Sequence, residues 1–490
     1  MKPIVERCEL APGLAISRVL TGLWQIADME RDGQVLDLDA TARAMEPYVS
    51  EGFTTFDMAD HYGSAEDVAG RFLHGQAAPG TVEIATKWVP RPGPINRDDV
   101  RAAVERALER LRTSTIDLLQ FHAWSYADPA YLDGLFYLQE LQEEGLIRHL
   151  GLTNFDTAHL RVVLASGIDV VSNQVSFSLF DRRAQGAMSD LCREYGVKLL
   201  AYGTLAGGLL TDRFLGEGEP TTMTTWSEMK YKRFLDVAGN WESYQKLLQV
   251  LKGVAGKYGV SIANVASRYI LEQPAVGGII IGARLGQSEH IEENLRLFAF
   301  SLGEEDSSRI EAALTGFAAI PGDCGDEYRK PPFLTASGDL SHHFEEFPTP
   351  YPVRDQGDGR QRVLSGTHWE EEFGYCRAVR KGSTVWISGT TASHGDRLIG
   401  GADAAAQAHF ALDKIEGAIQ SLGGELEDVV RTRVYVANLS DWQSVARVHG
   451  QRFAEIQPAN TLVQAKLVGD EYLVEIEAQA ELESKGPSQS

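Results

Sequence analysis

Three successive strand-like segments each end in a polar residue, and this pattern constrains the fold more than any other feature. The first segment ends in Asp57, and Tyr62 follows five residues later. The second ends in Lys87 and the third in His122. In a parallel α/β barrel the carboxyl ends of the strands meet at one face, where catalytic groups collect. The pattern therefore predicts that the four side chains lie together, with scattered rim residues as the alternative.

These four residue types suit the reduction of a carbonyl group. A free phenol has a pKa of about 10, and the cation of Lys87 would lower the pKa of Tyr62 and make it a better proton donor. Asp57 would hold Lys87 in place, and His122 would orient or polarise the carbonyl oxygen. No side chain supplies a hydride, so a nicotinamide cofactor is implied.

With these residues in their strand contexts, residues from about 10 to 315 resemble the aldo-keto reductases. Asp57, Tyr62, Lys87 and His122 occupy the family's catalytic tetrad in order. The resemblance implies a (β/α)8 TIM barrel and an NAD(P)H-dependent reductase (EC 1.1.1.-) without a Rossmann domain. NADPH is expected over NADH, although Gly282 and His290 stand where many members carry lysine and arginine.

The resemblance also implies a set of cofactor-binding residues. Thr153, Asn154 and Gln174 would surround the nicotinamide carboxamide, and Tyr202 would stack on the nicotinamide ring. Arg284 would bind the 2′-phosphate, since a guanidinium matches phosphate geometry. The full set is Gly22, Leu23, Trp24, Thr153, Asn154, Gln174, Tyr202, Gly203, Leu205, Gly208, Gly282, Arg284, Ser288, Glu293 and Asn294. From the residues alone, Asn154 suggests a helix cap, Gln174 a rim residue and Tyr202 the edge of a core.

Tryptophans are the candidates for a substrate pocket. If Trp24, Trp88, Trp124 and Trp226 line the barrel mouth, the substrate is apolar or aromatic; ordinary packing is the alternative. Residues 211 to 240 form a long segment between predicted elements, and such long segments are usually functional. We expect a lid over the cofactor or the substrate, with a peripheral subdomain as the alternative.

Charge and cysteine content exclude several classes of partner. The net charge of −23 argues against binding nucleic acid or anionic membranes. The four cysteines have no metal-ligand or redox-pair spacing, so no metal is expected and reduced thiols in a cytoplasmic protein are. No signal peptide and no apolar run of membrane-spanning length is visible.

The length of 490 residues predicts more than one domain. We predict a barrel over residues 1–318, a linker arm over 319–361, a second domain over 362–482 and a flexible tail over 483–490. The arm is rich in proline, glycine and aspartate, which favour extended or turn conformations. Its aromatic residues predict that it packs on another part of the protein: Tyr328, Phe333, Phe344 and Phe347.

The second domain has the element order strand, strand, helix, strand, helix, strand, strand, which predicts an α+β layer. It resembles the YjgF/Rid family of imine and enamine deaminases in Tyr375 to Val379, Ser388-Gly389, Gly423-Gly424 and Val474 to Ala478. The resemblance implies a chorismate-mutase-like fold, assembly into a homotrimer or hexamer, and ligand clefts between subunits.

One substitution affects the expected Rid-like cleft. The family's arginine, which binds the substrate carboxylate, follows a Pro-Ala pair; here Asn460 follows Pro458-Ala459. Asparagine cannot form a charged bidentate clamp. Tyr375 and Glu475 match the family. Structural trimerisation and a diverged imine site therefore both remain open.

Three hypotheses on function follow. The leading one is a reductase of a carbonyl compound or of a carbonyl-derived imine, with the Rid-like domain serving trimerisation or imine handling. The second is a bifunctional imine deaminase and reductase acting on a biosynthetic intermediate. The third is a non-catalytic, NADPH-binding regulatory module.

Overall fold

A closed barrel of parallel strands forms the larger part of the molecule. The computed structural model describes residues 2–27, 35–75, 80–287, 289–329 and 347–483. An antiparallel hairpin, β1 (Arg7–Ala11) and β2 (Leu14–Ser17), precedes the barrel. The eight barrel strands are β3 (Val19–Gly22), β4 (Thr55–Asp57), β5 (Glu83–Trp88), β6 (Ile116–His122), β7 (Ile147–Thr153), β8 (Ser172–Ser176), β9 (Lys198–Tyr202) and β10 (Val276–Gly282).

Helices alternate with these strands and cover the barrel. They are α1 (Leu38–Arg43), α2 (Glu46–Ser50), α3 (Ala65–Gly75), α4 (Arg97–Leu111), α5 (Ala130–Glu143), α6 (Thr157–Ala165), α7 (Ala187–Tyr195), α8 (Trp226–Ala238), α9 (Trp241–Tyr258), α10 (Ile262–Leu271), α11 (Ile291–Arg296), α12 (Glu304–Leu314) and α13 (Asp326–Arg329). Side-chain caps fix several starts: Asn96 accepts from Asp99 N, and Thr225 forms a capping box with Glu228.

The strand register brings the polar strand ends to one rim. Gly22 pairs with Asp57, and Lys87 pairs with Gln120 on the next strand. His122 pairs with Thr153. Because parallel strands run in the same direction, their last residues lie at the same end of the barrel. The predicted TIM-barrel fold is confirmed.

A second, seven-stranded sheet follows in the order β11-β12-β13-β14-β19-β17-β18. Its strands, together with the separate hairpin β15-β16, are β11 (Val353–Asp355), β12 (Gln361–Val363), β13 (Ala378–Lys381), β14 (Thr384–Thr390), β15 (Ser393–His394), β16 (Arg397–Leu398), β17 (Val429–Val436), β18 (Ala459–Gln464) and β19 (Val474–Glu481). The helices are α14 (His368–Glu372), α15 (Ala404–Ser421) and α16 (Trp442–Phe453).

Helices α15 and α16 bury one face of this sheet, and the predicted α+β domain is confirmed. Helix α15 also packs against barrel helix α6, so the two domains share an interface. The described parts of the predicted arm contribute α13 to the barrel side and β11 to the second sheet. Phe333 and Phe344 lie outside the described residues, as do 484–490 of the predicted tail. None of the described helices is long and apolar enough to cross a bilayer.

Candidate active site

A buried ion pair lies at the centre of the barrel rim. Lys87 Nζ lies 2.8 and 2.7 Å from the two carboxylate oxygens of Asp57 and donates to the carbonyl oxygen of Met58 at 2.9 Å. These three acceptors match the three N–H groups of the ammonium. Burial lowers the pKa of Lys87, and the charge of Asp57 opposes that shift. The attraction between the two charges offsets part of the cost of burying them.

Asp57 also receives hydrogen bonds from two amides. Gln174 Nε2 donates to Asp57 Oδ1 at 2.7 Å, and Gln120 Nε2 donates to the same atom at 3.2 Å. Gln174 Nε2 also lies 2.9 Å from Gln120 Oε1. Gln120 was not expected from the sequence; its only signal was its place at the end of a buried strand, two residues before His122. The carboxylate is thus fixed by three side chains.

Tyr62 lies beside this pair, in an aromatic setting. Lys87 Nζ is 5.4 Å from the centroid of the Tyr62 ring. The rings of Trp24 and His61 each lie 4.9 Å from it, edge to face. Burial, followed by the negative charge of Asp57, raises the pKa of Tyr62 well above 10. The expectation that Lys87 makes Tyr62 acidic is therefore wrong for this state, because Asp57 neutralises the lysine and the phenol is desolvated.

His122 completes the group of four. Its ring lies 4.4 Å from the Trp124 ring, edge to face, and its Nδ1 is 3.3 Å from the carbonyl oxygen of Thr153. The indole N–H of Trp124 donates to Pro90 O at 2.9 Å. The four strand-end residues singled out by the sequence therefore line one site.

A cavity of about 960 Å³ is lined by these four residues and by residues at the amino end of α11. Cofactor candidates that line it are Gly22, Trp24, Thr153, Asn154, Gln174, Tyr202, Gly203, Leu205, Gly208, Gly282, Arg284, Glu293 and Asn294. Trp124 and Trp226 line it as well. A cavity lined by acidic, basic and phenolic side chains together with the guanidinium of Arg284 has the polarity that a phosphate-bearing ligand requires.

Two of the predicted residues are placed differently. Trp88 does not line the cavity; its ring packs on that of Phe121, 5.5 Å away, within the core outside the barrel. Leu23 is fully buried, and only its backbone N–H is used near the site, donating to Asp57 O at 2.9 Å. Ser288 lies outside the described residues. Successive side chains of a strand point to opposite faces of the sheet. Trp88 follows Lys87 directly and therefore points away from the face that Lys87 occupies.

The predicted lid segment folds over the cavity as helix α8. Thr224 to Glu228, Lys230 and Tyr231 line the cavity from this side. Glycines allow the close approach: a Cβ on Gly203 would lie 2.2 Å from Tyr231 Oη, and one on Gly207 would lie 2.6 Å from Ser227 O. Both glycines also have positive φ, which disfavours other residues.

Among the residues that line the cavity without having been assigned to it from the sequence are Arg213, Lys230 and Tyr328. Arg213 lines the cavity and pairs with Glu228 at 2.7 Å. Lys230 Nζ donates to Tyr328 Oη at 2.5 Å, and the Tyr328 ring lies 5.8 Å from that of His122. Tyr328 belongs to the arm, whose aromatic content was the signal that it packs on another part of the protein.

Asn154 and Tyr202 contact each other directly. Tyr202 Oη donates to Asn154 Oδ1 at 2.7 Å, and Asn154 has a φ of 60°. The backbone N–H of Asn154 donates to Gln174 O at 2.8 Å. Left-handed backbone is tolerated by asparagine better than by most residues, and here it turns the side chain toward the cavity.

The three Rid-like candidates do not meet within one chain. Asn460 pairs with Thr432 on the helix-covered face of the sheet, where its Nδ2 donates to Thr432 Oγ1 at 2.9 Å and lies 3.4 Å from His449 Nε2. Glu475 pairs with Tyr435 on the opposite face. The Arg377 guanidinium lies 5.9 Å from the centroid of the Tyr375 ring, and its charge opposes the rise that burial causes in the pKa of Glu475. Arg377 therefore lies near both Tyr375 and Glu475.

Comparison with known proteins agrees with this architecture. The model described as "Aldo/keto reductase family" matches residues 18–315. The chain belongs to the aldo/keto reductase family. An aldo-keto reductase, YhdN, from Bacillus subtilis is 26% identical over 335 residues, covering 65% of this chain and 96% of that protein. The crystal structure of a glycerol dehydrogenase from Gluconobacter oxydans has 25% identity and a TM-score of 0.53, covering 65% of this chain and 97% of the other.

The second domain matches a different family. The model described as "Endoribonuclease L-PSP" covers residues 368–482, which confirms the YjgF/Rid resemblance. A solved structure of Rv2704 from Mycobacterium tuberculosis, described as a member of the YjgF/YER057c/UK114 family, is 44% identical. It covers 25% of this chain and 99% of its own, with a TM-score of 0.23. The protein is thus an oxidoreductase-family barrel fused to a Rid-type domain.

Proposed function

We propose that the barrel is an NADPH-dependent reductase of an aldehyde, a ketone or a carbonyl-derived imine. The observation that carries this proposal is the single cavity that joins Asp57, Tyr62, Lys87 and His122 to Arg284. We propose the domain limits that the sequence predicts, with the barrel over 1–318, the arm over 319–361 and the second domain over 362–482.

The residues along the cavity suit a nicotinamide dinucleotide. Asn154 and Gln174 carry amide groups at the catalytic end, and buried amides of a ligand need such partners. Tyr202 offers an aromatic ring, while Gly208 leaves its backbone open to a close ligand. Arg213 and Arg284 supply cations for phosphates. When bound, the dinucleotide would supply the hydride that no side chain provides.

The chain's own residues would then donate the proton to the carbonyl oxygen. As the carbonyl carbon accepts the hydride, the π electrons move to oxygen, and this oxygen takes the phenolic proton of Tyr62. The raised pKa keeps Tyr62 protonated until a strong base forms beside it. Lys87 stabilises the resulting phenolate, and His122 orients the carbonyl oxygen.

A substrate panel tests the proposal. Loss of NADPH absorbance is followed with aldehydes, ketones and cyclic imines, apolar and aromatic members included because Trp24, Trp124 and Tyr328 line the catalytic end. We expect turnover of at least one aromatic carbonyl compound. Tight NADPH binding without turnover of any compound would contradict the reductase and favour the regulatory module. Turnover confined to imines would support a coupled deaminase and reductase.

Arg284 is the residue we expect to select NADPH over NADH. The change Arg284→Met removes the guanidinium and preserves much of the side-chain length. Loss of a charge-assisted contact of about 1.5–3 kcal/mol should weaken NADPH binding about 10- to 100-fold and leave NADH binding almost unchanged. Dissociation constants for both cofactors from quenching of tryptophan fluorescence measure this. Equal losses for NADPH and NADH would remove Arg284 as the 2′-phosphate ligand.

The Rid-type domain is proposed to assemble three chains through the open face of its sheet. Apolar residues are exposed there: Trp386 is 44% and Val463 43% exposed. Sedimentation should give a trimer mass or twice that, and Trp386→Asp with Val463→Asp should reduce the mass to that of one chain. The control is Val35→Asp, at a barrel residue that is 97% exposed. A single-chain mass for the unmodified protein would contradict this assembly.

A further inference from the structure

A buried cluster of charges joins the second domain to the barrel. His159 on α6 is buried between two carboxylates: its Nδ1 lies 2.7 Å from Asp156 Oδ1, and its Nε2 lies 3.0 Å from Asp413 Oδ2 on α15. Arg452 Nη1 donates to the other Asp413 oxygen at 2.6 Å. His409 lies 6.4 Å from His159. Other charged or titratable groups that the structure describes near this cluster are Arg329, Tyr126, Tyr131, Asp323 and Glu416.

This arrangement favours the imidazolium. Burial acts against the charged form of His159, but Asp156 and Asp413 outweigh it and raise the pKa of His159 to about 9. Burial and the charge of His159 lower the pKa of His409 to about 4, so His409 is neutral when His159 is charged. One protonated histidine therefore bonds the two domains across their interface.

From His159 a continuous set of contacts leads to the cavity. The His159 ring stacks on the Tyr126 ring, 3.4 Å between centroids and 8° between planes. The Arg329 guanidinium lies 4.3 Å from the same Tyr126 ring, and its Nη1 donates to Asn154 O at 2.6 Å. Asn154 is the strained residue whose side chain lines the cofactor cavity beside Tyr202.

The same short segment also supplies a wall of the site. Tyr328, adjacent to Arg329, lies with its Oη 3.4 Å from that of Tyr202. A Cβ on Gly325 would lie 2.0 Å from Asn154 O, so α13 fits closely against the turn after β7. Glu327 pairs with Arg183 at 2.9 Å, both buried, and this pair fixes the helix from the other side.

We propose that Asp413 of the second domain is a positioning residue for the barrel's cofactor site, acting through His159, Tyr126 and Arg329 on Asn154 and Tyr328. The Rid-type domain is then a structural part of the reductase site, in addition to any role in assembly. This inference rests on the proposed NADPH-dependent function.

The test is the pH profile of NADPH affinity in the full-length chain. The pKa of His159 in the folded chain is above its ordinary value. The stabilisation that protonated His159 gives to this path is therefore complete below about pH 6.5 and is lost as the pH rises through about 9. The NADPH dissociation constant of the unmodified chain should therefore be level at neutral pH and rise about 10-fold above pH 9.

Asp413→Asn should move this rise to lower pH. The asparagine still accepts from Arg452, but its amide can donate to a neutral His159, and the loss of one carboxylate should shift the rise down by about 1–3 pH units. At pH 8 we expect NADPH to bind about 10-fold more weakly than to the unmodified chain. A larger change in KM for NADPH than in kcat should accompany it.

Asp403→Asn is the matched control. Asp403 pairs with Arg161 across the same interface at 2.7 Å, and its Oδ1 caps α15 by accepting from two backbone N–H groups. Asparagine retains the cap while removing the same charge. Because Asp403 does not contact His159 or Tyr126 in the described contacts, this variant should leave the pH profile unchanged.

Arg329→Met breaks the path from the other end and leaves the interface charges in place. It should weaken NADPH binding at all pH values and abolish the rise above pH 9, which keeps the proposal testable if Asp413→Asn folds poorly. Identical profiles for Asp413→Asn and Asp403→Asn, or an unchanged rise in Arg329→Met, would overturn the positioning role alone. Failure of the unmodified chain to bind NADPH would overturn the proposed function as well.

Discussion

Replacing Tyr62 by phenylalanine is expected to reduce carbonyl turnover by about 10²–10⁴-fold while NADPH still binds. The change removes only the phenolic oxygen, so the ring keeps its edge-to-face contacts with Trp24 and His61. Without the phenol, the developing oxygen anion has no protein proton donor at that position. Single-turnover rates of NADPH oxidation, with the NADPH dissociation constant measured in parallel, separate the chemical step from binding.

Tyr231→Phe provides the control for this experiment. Tyr231 also lines the cavity, and burial raises the pKa of its phenol too, but the lysine beside its ring is Lys230, whose Nζ lies 5.9 Å from the ring centroid, and not Lys87. We expect its turnover to stay within a few-fold of the unmodified chain. An unchanged rate in Tyr62→Phe would rule out Tyr62 as the acid, whatever happens in Tyr231→Phe.

Replacing Lys87 by methionine should destabilise the barrel and abolish activity. Asp57 would then lose its buried cation and keep only the amide donors Gln120 and Gln174. Breaking a buried ion pair by removing one partner costs about 3–5 kcal/mol, because the remaining charge stays uncompensated. The midpoint of urea denaturation, followed by tryptophan fluorescence, measures the change in the free energy of unfolding.

The double variant Asp57→Asn with Lys87→Met separates stability from catalysis. It removes both charges, so most of the lost stability should return, since a neutral pair has no uncompensated charge to bury. Activity should stay absent, because no cation remains beside the Tyr62 phenolate. If the free energy of unfolding of Lys87→Met lies within about 1 kcal/mol of that of the unmodified chain, the ion pair does not contribute the stability expected of a buried pair.

Much of the fold was predictable because hydrophobic periodicity and turn residues are local signals. The alternating pattern of Val429 to Val436 predicts a strand, and the sequence from Asp403 to Leu422 predicts a helix; the structure has β17 and α15 at these places. The sequence from Leu38 to Ser50 predicts one crossover helix, but the structure has two short helices, α1 and α2, with Pro47 in the first turn of the second. Proline lacks the N–H that a continuing helix would need, which accounts for the break.

The candidate site was predictable where residues end strands and less so where chain segments meet from a distance. Asp57, Lys87 and His122 follow from strand ends, because parallel strands bring those ends to one rim. Arg213 and Lys230 come from the segment over the cavity, and their positions depend on how closely α8 approaches Gly203 and Gly207. That approach is a matter of packing between segments, which no local pattern encodes.

The sequence by itself determined the two families, the barrel, the second sheet and the four candidate residues at the barrel rim, because each rests on short-range patterns and strand order. Only the tertiary structure decided the surroundings of Tyr62, where burial and the charge of Asp57 raise the pKa of the phenol. It also decided that Tyr328 and Arg329 of the arm close the site and that Asp413 contacts His159. These contacts join residues up to 254 positions apart, and their energies depend on desolvation, which exists only once the chain has folded.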